Sequence, residues 1–151
     1  MYRKKGLTLI ELIVAISIGA ILVTIGIPSF IGMAQRNSVS TTGRELLGAL
    51  YFARSQATED ETATTLTPLA NGWRVDADIV NAGAVNHLIH TVDNVNITMT
   101  GDPVTYNPRG RATVPAGESI DISYDGELQS RVCLSLSGRP STKPVSDGAC
   151  P

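Results

Sequence analysis

The sequence predicts an α+β fold in which one long N-terminal helix covers an antiparallel β-sheet. Three observations point there. An apolar run with helical periodicity opens the chain, short β-branched segments fill the remainder, and Gly, Pro and Asx turns punctuate those segments. The length of 151 residues suits one domain. Hydrophobic residues make up 42% but aromatics only 5%, so the core must be aliphatic. The formal charge of -2 conceals an asymmetry. Arg3, Lys4 and Lys5 precede the apolar run, and the other 9 of 12 basic residues face 14 acidic ones, a balance of -5. That excludes a protein that coats nucleic acid over its whole surface.

The first element occupies residues 7–34, where Glu11 is the only charge before Arg36. As a helix it would extend ~40 Å, enough to span a hydrocarbon core of ~30 Å. The three preceding cations predict a cytoplasmic N-terminus and export of the rest. A cleavable secretory signal would be shorter and end in an A-x-A-like site. Here Pro28 is followed by Ser29-Phe30-Ile31-Gly32 instead. A plain anchor has no use for Glu11, whose charge at membrane depth costs ~2.5–3.5 kcal/mol on insertion scales. Pro28, between Gly26 and Gly32, removes a helical hydrogen bond and clashes with the preceding turn. The glycines weaken the helix by about 1 kcal/mol each. A bend or locally melted stretch follows, either an ordinary membrane-helix kink or an aid to leaving the bilayer.

The helical period continues in Val39, Leu46, Leu50, Ala53 and Ala57, while Arg36, Arg44, Glu45 and Arg54 mostly fall on other faces. An amphipathic helix over residues 35–61 is expected, its stripe packing on a sheet. Glu59-Asp60-Glu61 reads as a solvated helix end rather than a cation site. Strands are expected at residues 62–67, 73–77, 87–92, 95–100, 103–106, 119–124 and 131–135. Pro68 with Asn71-Gly72, Gly101-Asp102, Pro108-Arg109-Gly110, Pro115-Ala116-Gly117 and Asp125-Gly126 supply the turns.

Lys5-Gly6-Leu7-Thr8-Leu9-Ile10-Glu11 resembles the processing signal of type IV pilins and type II secretion pseudopilins, with Leu7 where Phe is usual. The resemblance implies a leader, residues 1–6, removed by a prepilin peptidase between Gly6 and Leu7, and N-methylation of Leu7. Glu11 then matches the family's assembly glutamate and Pro28 its helix-bending proline. In a filament the Glu11 carboxylate would meet the N-terminal amine of a neighbouring subunit, and their attraction at low dielectric would offset the desolvation of both. Leu46-Leu47-Gly48-Ala49-Leu50-Tyr51-Phe52-Ala53-Arg54-Ser55-Gln56-Ala57 resembles a segment of the GspH/FimT-type branch. Tyr106-Asn107-Pro108-Arg109-Gly110-Arg111 and Leu134-Ser135-Leu136-Ser137-Gly138-Arg139 resemble its strand-turn elements. A pilin-like head over residues 35–151 is implied, with the sheet in residues 62–151.

Cys133 and Cys150 are the only cysteines. Export to an oxidising periplasm makes a bond between them the default. Its loop of ~17 residues would contribute roughly 3 kcal/mol and pin a tail, residues 138–151, that Pro140, Pro144 and Gly148 otherwise leave as a mobile strand. Similar C-terminal bridges occur in minor pilins. No C-x-x-C is present, and His87 and His90, three apart in a strand, point to opposite faces, so neither a metal nor another cofactor is expected. No G-x-S-x-G, H-E-x-x-H or P-loop is present, so no enzyme is expected and no catalytic residue is assigned.

The resemblance leaves two functions open. One is a structural minor pilin or pseudopilin near the tip of a type IV pilus or type II secretion pseudopilus, priming assembly. Its partners are the peptidase, other major or minor pilins or pseudopilins, and the inner membrane, which it spans once with a periplasmic head before joining the filament. The other is DNA binding during uptake, as FimT-like relatives with a C-terminal G-R-x-R can show. Here that stretch reads Gly138-Arg139-Pro140-Ser141, without the second arginine. The candidate DNA contacts are Arg131, Arg139 and Lys143, which against Asp147 give the segment from Gln129 a charge of +2. Ordinary solvated turn charges are the competing reading.

Overall fold

The computed structural model describes residues 8–77, 86–113, 119–135, 137–148 and 150. The Gly6–Leu7 bond and the Pro115-Ala116-Gly117 turn lie outside these. The chain forms two compact units, Met1–Arg36 and Asn37–Pro151. One α-helix, α1 (Leu9–Glu59), contributes to both.

In the first unit every large apolar side chain from Leu9 to Met33 is at least 50% exposed. The described part of this unit therefore has no core of its own. Ser17 and Thr24 hydroxyls donate back to the Ile13 and Ile21 carbonyls, 2.8 Å each, so these polar groups do not ask for water. A bend or a locally melted stretch is expected there; the helix is continuous across Gly26, Pro28 and Gly32, so it is not melted at these residues. Helical packing lost at one proline is a small defect in a helix this long, because the flanking turns keep their own bonds.

The second unit contains the rest of α1, and among the described residues eight strands follow it. These are β1 (Thr64–Leu69), β2 (Gly72–Ala77), β3 (Asn86–Thr91), β4 (Ile97–Thr100), β5 (Val104–Tyr106), β6 (Ser119–Tyr124), β7 (Glu127–Leu134) and β8 (Pro140–Pro144). All ladders are antiparallel, but the strands divide into two four-stranded sheets, ordered β3-β2-β1-β5 and β4-β6-β7-β8. The α1 stripe Val39, Leu46, Leu50, Ala53 and Ala57 forms one core with both. Leu66, Trp73, Val75, Val104 and Tyr106 come from the first sheet, and Ile97, Met99, Ile120, Ile122, Val132 and Leu134 from the second. Beyond Glu59 the chain turns away through Glu61, whose φ of 54° is the left-handed conformation that commonly ends a helix.

Turn chemistry sets the hairpins. Asp125 and Gly126, at φ 51° and 82°, join β6 to β7 in the two-residue form that Asp-Gly favours. Ser130 faces Ile122 while Leu128 faces Ser123, so Gln129 is the extra residue of a bulge. This hairpin carries β7 four residues further toward its N-terminus than expected, because pairing with β6 overrides the weak strand propensity of Glu127 and Gln129. Pro68 lies inside β1 rather than in the turn. It stands where β1 has β2 alone as a ladder neighbour, a position that tolerates the missing amide.

The tail differs most from expectation. Residues 140–144 form β8, paired with β7 from Leu134↔Pro140 to Ser130↔Pro144, and Pro140 and Pro144 fit its place at a sheet edge. A 3-10 turn, Val145–Asp147, then leads to Cys150, bonded to Cys133 across a Cα separation of 5.5 Å. The tail is thus held by a ladder as well as by the bridge.

Two polar links bind the sheets together. The Met99 amide of β4 donates to the Ala70 carbonyl in the β1–β2 turn, 3.1 Å. The Tyr106 hydroxyl of β5 donates to the Gly138 carbonyl in the β7–β8 turn, also 3.1 Å, with the whole residue buried. Burial pushes the Tyr106 phenol from 10.0 up to about 12, a rise that nearby Arg54 opposes. Because the folded value is raised, this contribution to stability is complete below pH 10 and falls as pH climbs through about 12. Tyr106→Phe is expected to cost about 1 kcal/mol at neutral pH. It should also remove part of the alkaline loss, read as a flatter denaturation midpoint from pH 9 to about 12. Cys133→Ser is expected to lower unfolding free energy by about 3 kcal/mol, measured by denaturant titration of the full chain in detergent. An unchanged midpoint would show that the β8 ladder alone holds the tail.

Candidate functional site

The first turn of α1 carries the candidate assembly residue. Thr8 precedes the helix, and its amide and hydroxyl both donate to Glu11 Oε2 at 2.9 Å. The Glu11 amide donates back to the Thr8 hydroxyl at 3.3 Å. This is a reciprocal capping box, and a carboxylate in the first turn also suits the helix dipole. The spacing Thr8-Leu9-Ile10-Glu11 is the T-x-x-E signature, legible in the sequence but overshadowed by reading Glu11 as an isolated charge. No cation lies within ion-pair distance of Glu11 among the described residues, and its second oxygen has no protein partner there. Gly6 and Leu7 lie outside the described residues. Pro28 lies within α1, in the same unit as Glu11.

In the head, the three candidate DNA contacts do not form one open cationic patch. Arg131 is held by Asp121, with Nε 2.9 Å from Oδ1 and a second, longer bond of 3.5 Å. It also donates to the Gly148 carbonyl at 3.4 Å, so it anchors the tail. Lys143 sits opposite Arg131 in the β7–β8 ladder and is itself engaged. Only Arg139 is exposed and without a carboxylate partner among the described residues.

Arg139 has other company. A Cβ on Gly138 would lie 2.7 Å from the Ala112 nitrogen and 3.1 Å from the Gly110 oxygen, and Gly138 has φ 77°. Only glycine fits there. Gly110, at φ 69°, lies against α1, where a Cβ would come within 3.2 Å of Arg54 Nε and Thr58 Cγ2. The turn is fixed by Asn107, whose Oδ1 accepts from the Arg109 and Arg111 amides at 3.0 Å each. Two stretches nearly 30 residues apart in sequence therefore meet over the end of α1. The sequence motifs named both turns, but nothing in their spacing said that they touch.

On another side of α1, the His90 ring stacks on Trp73 with centroids 4.3 Å apart, and His90 Nε2 is 3.5 Å from Glu45 Oε2. His90 and Glu45 border a shallow groove with Thr41, Thr42 and Asp93. Among the described residues, no three His, Cys, Asp or Glu side chains gather as metal ligands.

Residues 42–138 match the model of the type II transport protein GspH, and residues 1–27 match the prokaryotic N-terminal methylation motif. Comparison with curated proteins gives no match. Among solved structures, the type IV minor pilin FimU of Pseudomonas aeruginosa strain PAO1 is similar in two crystal forms. In space group P21 it is 20% identical with a TM-score of 0.61, covering 78% of this chain and 96% of that one. In space group P65 it is 20% identical with a TM-score of 0.54, covering 73% and 95%. That likeness concerns the fold: the long N-terminal helix, antiparallel sheets and bridged C-terminal tail of this chain fit a type IV pilin architecture. With well over half of its length matched by the family model, the chain belongs to the type II transport protein GspH family.

Proposed function

We propose that this chain is a structural minor pilin or pseudopilin. A prepilin peptidase cleaves it between Gly6 and Leu7, Leu7 is N-methylated, and the subunit joins other pilins or pseudopilins near the tip of a type IV pilus or type II secretion pseudopilus, priming its assembly. The inner membrane holds it beforehand, with the head in the periplasm. One observation supports this above the rest: an apolar helix with no cover carries a single carboxylate in its first turn. Apolar side chains exposed over this length require a bilayer or neighbouring helices. The carboxylate, with one oxygen already capped by Thr8, has its other oxygen for the new N-terminal amine of an adjacent subunit. At low dielectric such a pair is strong, and an unpaired carboxylate there is costly. Gly26, Pro28 and Gly32 weaken the same helix, easing withdrawal from the bilayer. DNA capture through Arg131, Arg139 and Lys143 is the weaker reading, since Asp121 already neutralises Arg131.

Glu11→Leu is expected to leave cleavage and membrane insertion intact while cutting co-purification with filaments about tenfold, equivalent to losing about 1.4 kcal/mol of contact. Thr8→Ala, which keeps the charge and removes the cap hydroxyl, should have a smaller effect. Recovery of Glu11→Leu in filaments at the wild-type level would refute the proposal.

A further inference from the structure

We propose that Arg54, Arg109, Arg111 and Arg139 form a docking site for carboxylates on a neighbouring subunit of the filament. The inference rests on the reading of the chain as a filament subunit and adds a surface to it. The four residues come from α1, the turn after β5 and the turn before β8, brought together by the close approaches at Gly110 and Gly138. Arg109, Arg111 and Arg139 are exposed and Arg54 is half-buried. None has a carboxylate partner among the described residues, although Arg74 and Arg131 pair with Asp76 and Asp121 at 2.8 and 2.9 Å. Like charges carried without counterions on adjoining turns repel one another, a cost that an anionic partner reduces.

The chemistry favours carboxylates. The amides of Arg109, Gly110, Arg111, Gly138 and Arg139 all donate within their own turns, to Asn107 or Ser135. No row of free amides remains there to cradle a compact phosphate. The guanidinium forks are the donors left, and their planar geometry matches carboxylates two bonds at a time. Charge balance indicates the source. Outside Arg3, Lys4 and Lys5 the chain has 9 basic and 14 acidic residues, and these four arginines leave only 5 cations for the rest of it. A neighbour of similar composition therefore presents a predominantly acidic surface. Glu59 and Glu61, exposed and without an ion pair among the described residues, exemplify the groups it would offer.

The test uses the full chain in nonionic detergent, with labelled poly-L-glutamate and a labelled duplex DNA as probes. Poly-L-glutamate should bind at low salt and weaken as salt is raised. The double variant Arg109→Ser with Arg111→Ser should weaken it at least about tenfold, whereas Arg44→Ser, on another face of α1, should not. In cells, Arg109→Glu with Arg111→Glu should be cleaved normally yet recovered in filaments several-fold less. Equal poly-L-glutamate binding by the wild type and the double serine variant would overturn the proposal. So would duplex DNA binding about tenfold tighter through the same residues, which would assign the cluster to nucleic acid. Normal recovery of Glu11→Leu would instead bring down the underlying subunit reading, so the two failures are distinguishable.

Discussion

A helix that leaves all its large apolar side chains uncovered from Leu9 to Met33 cannot be at equilibrium with water, and the molecule is organised around that constraint. The same helix meets two different demands. Before residue 37 it is apolar all round, as suits lipid or other helices. After that point it is apolar on one stripe, as suits a sheet. The only carboxylate in the apolar part, Glu11, sits in the first turn, where the Thr8 amide and hydroxyl satisfy one of its oxygens.

The head solves a separate problem, closing two sheets over one aliphatic stripe with few aromatic side chains. Leu46, Leu50, Ala53 and Ala57 are fully buried and aliphatic, and the two alanines leave room for residues of both sheets to reach α1. Trp73 and Tyr106 are the exceptions in size, and the Tyr106 hydroxyl finds the Gly138 carbonyl at the place where the two sheets and two turns come together. A buried phenol without that partner would carry a desolvation cost of its own. The glycine is needed at that spot both for its backbone conformation and for the nearness of Ala112.

Much of this was legible in the sequence, and the boundary is physical. Helix α1 and its buried stripe follow from local periodicity, and the Asp125-Gly126 hairpin follows from turn chemistry. The Cys133–Cys150 bond follows from the export that the N-terminal cations and apolar run predict. Long-range pairing was not legible: the division into two sheets and the ladder that makes residues 140–144 a strand depend on partners distant in sequence. Locally, Pro140, Pro144 and Gly148 predict only a mobile tail, and the edge position beside β7 is what places 140–144 in a ladder. For the site, Glu11 was found from its cost in lipid, yet its cap was missed although T-x-x-E was in view. Arg131 appeared available because Asp121 is ten residues away in sequence and opposite it in the ladder. The meeting of the turn that carries Arg139 with the turn that carries Arg109 and Arg111 depends wholly on tertiary closeness.

The capping box has one more consequence. Because both donors of Thr8 hold the same oxygen, one orientation of the Glu11 side chain is already favoured in the single chain. Ordering a free glutamate sacrifices up to ~2 kcal/mol of rotamer freedom. Part of that loss is thus incurred when the helix forms, so the amine proposed to pair with Glu11 would meet a carboxylate whose orientation is already favoured.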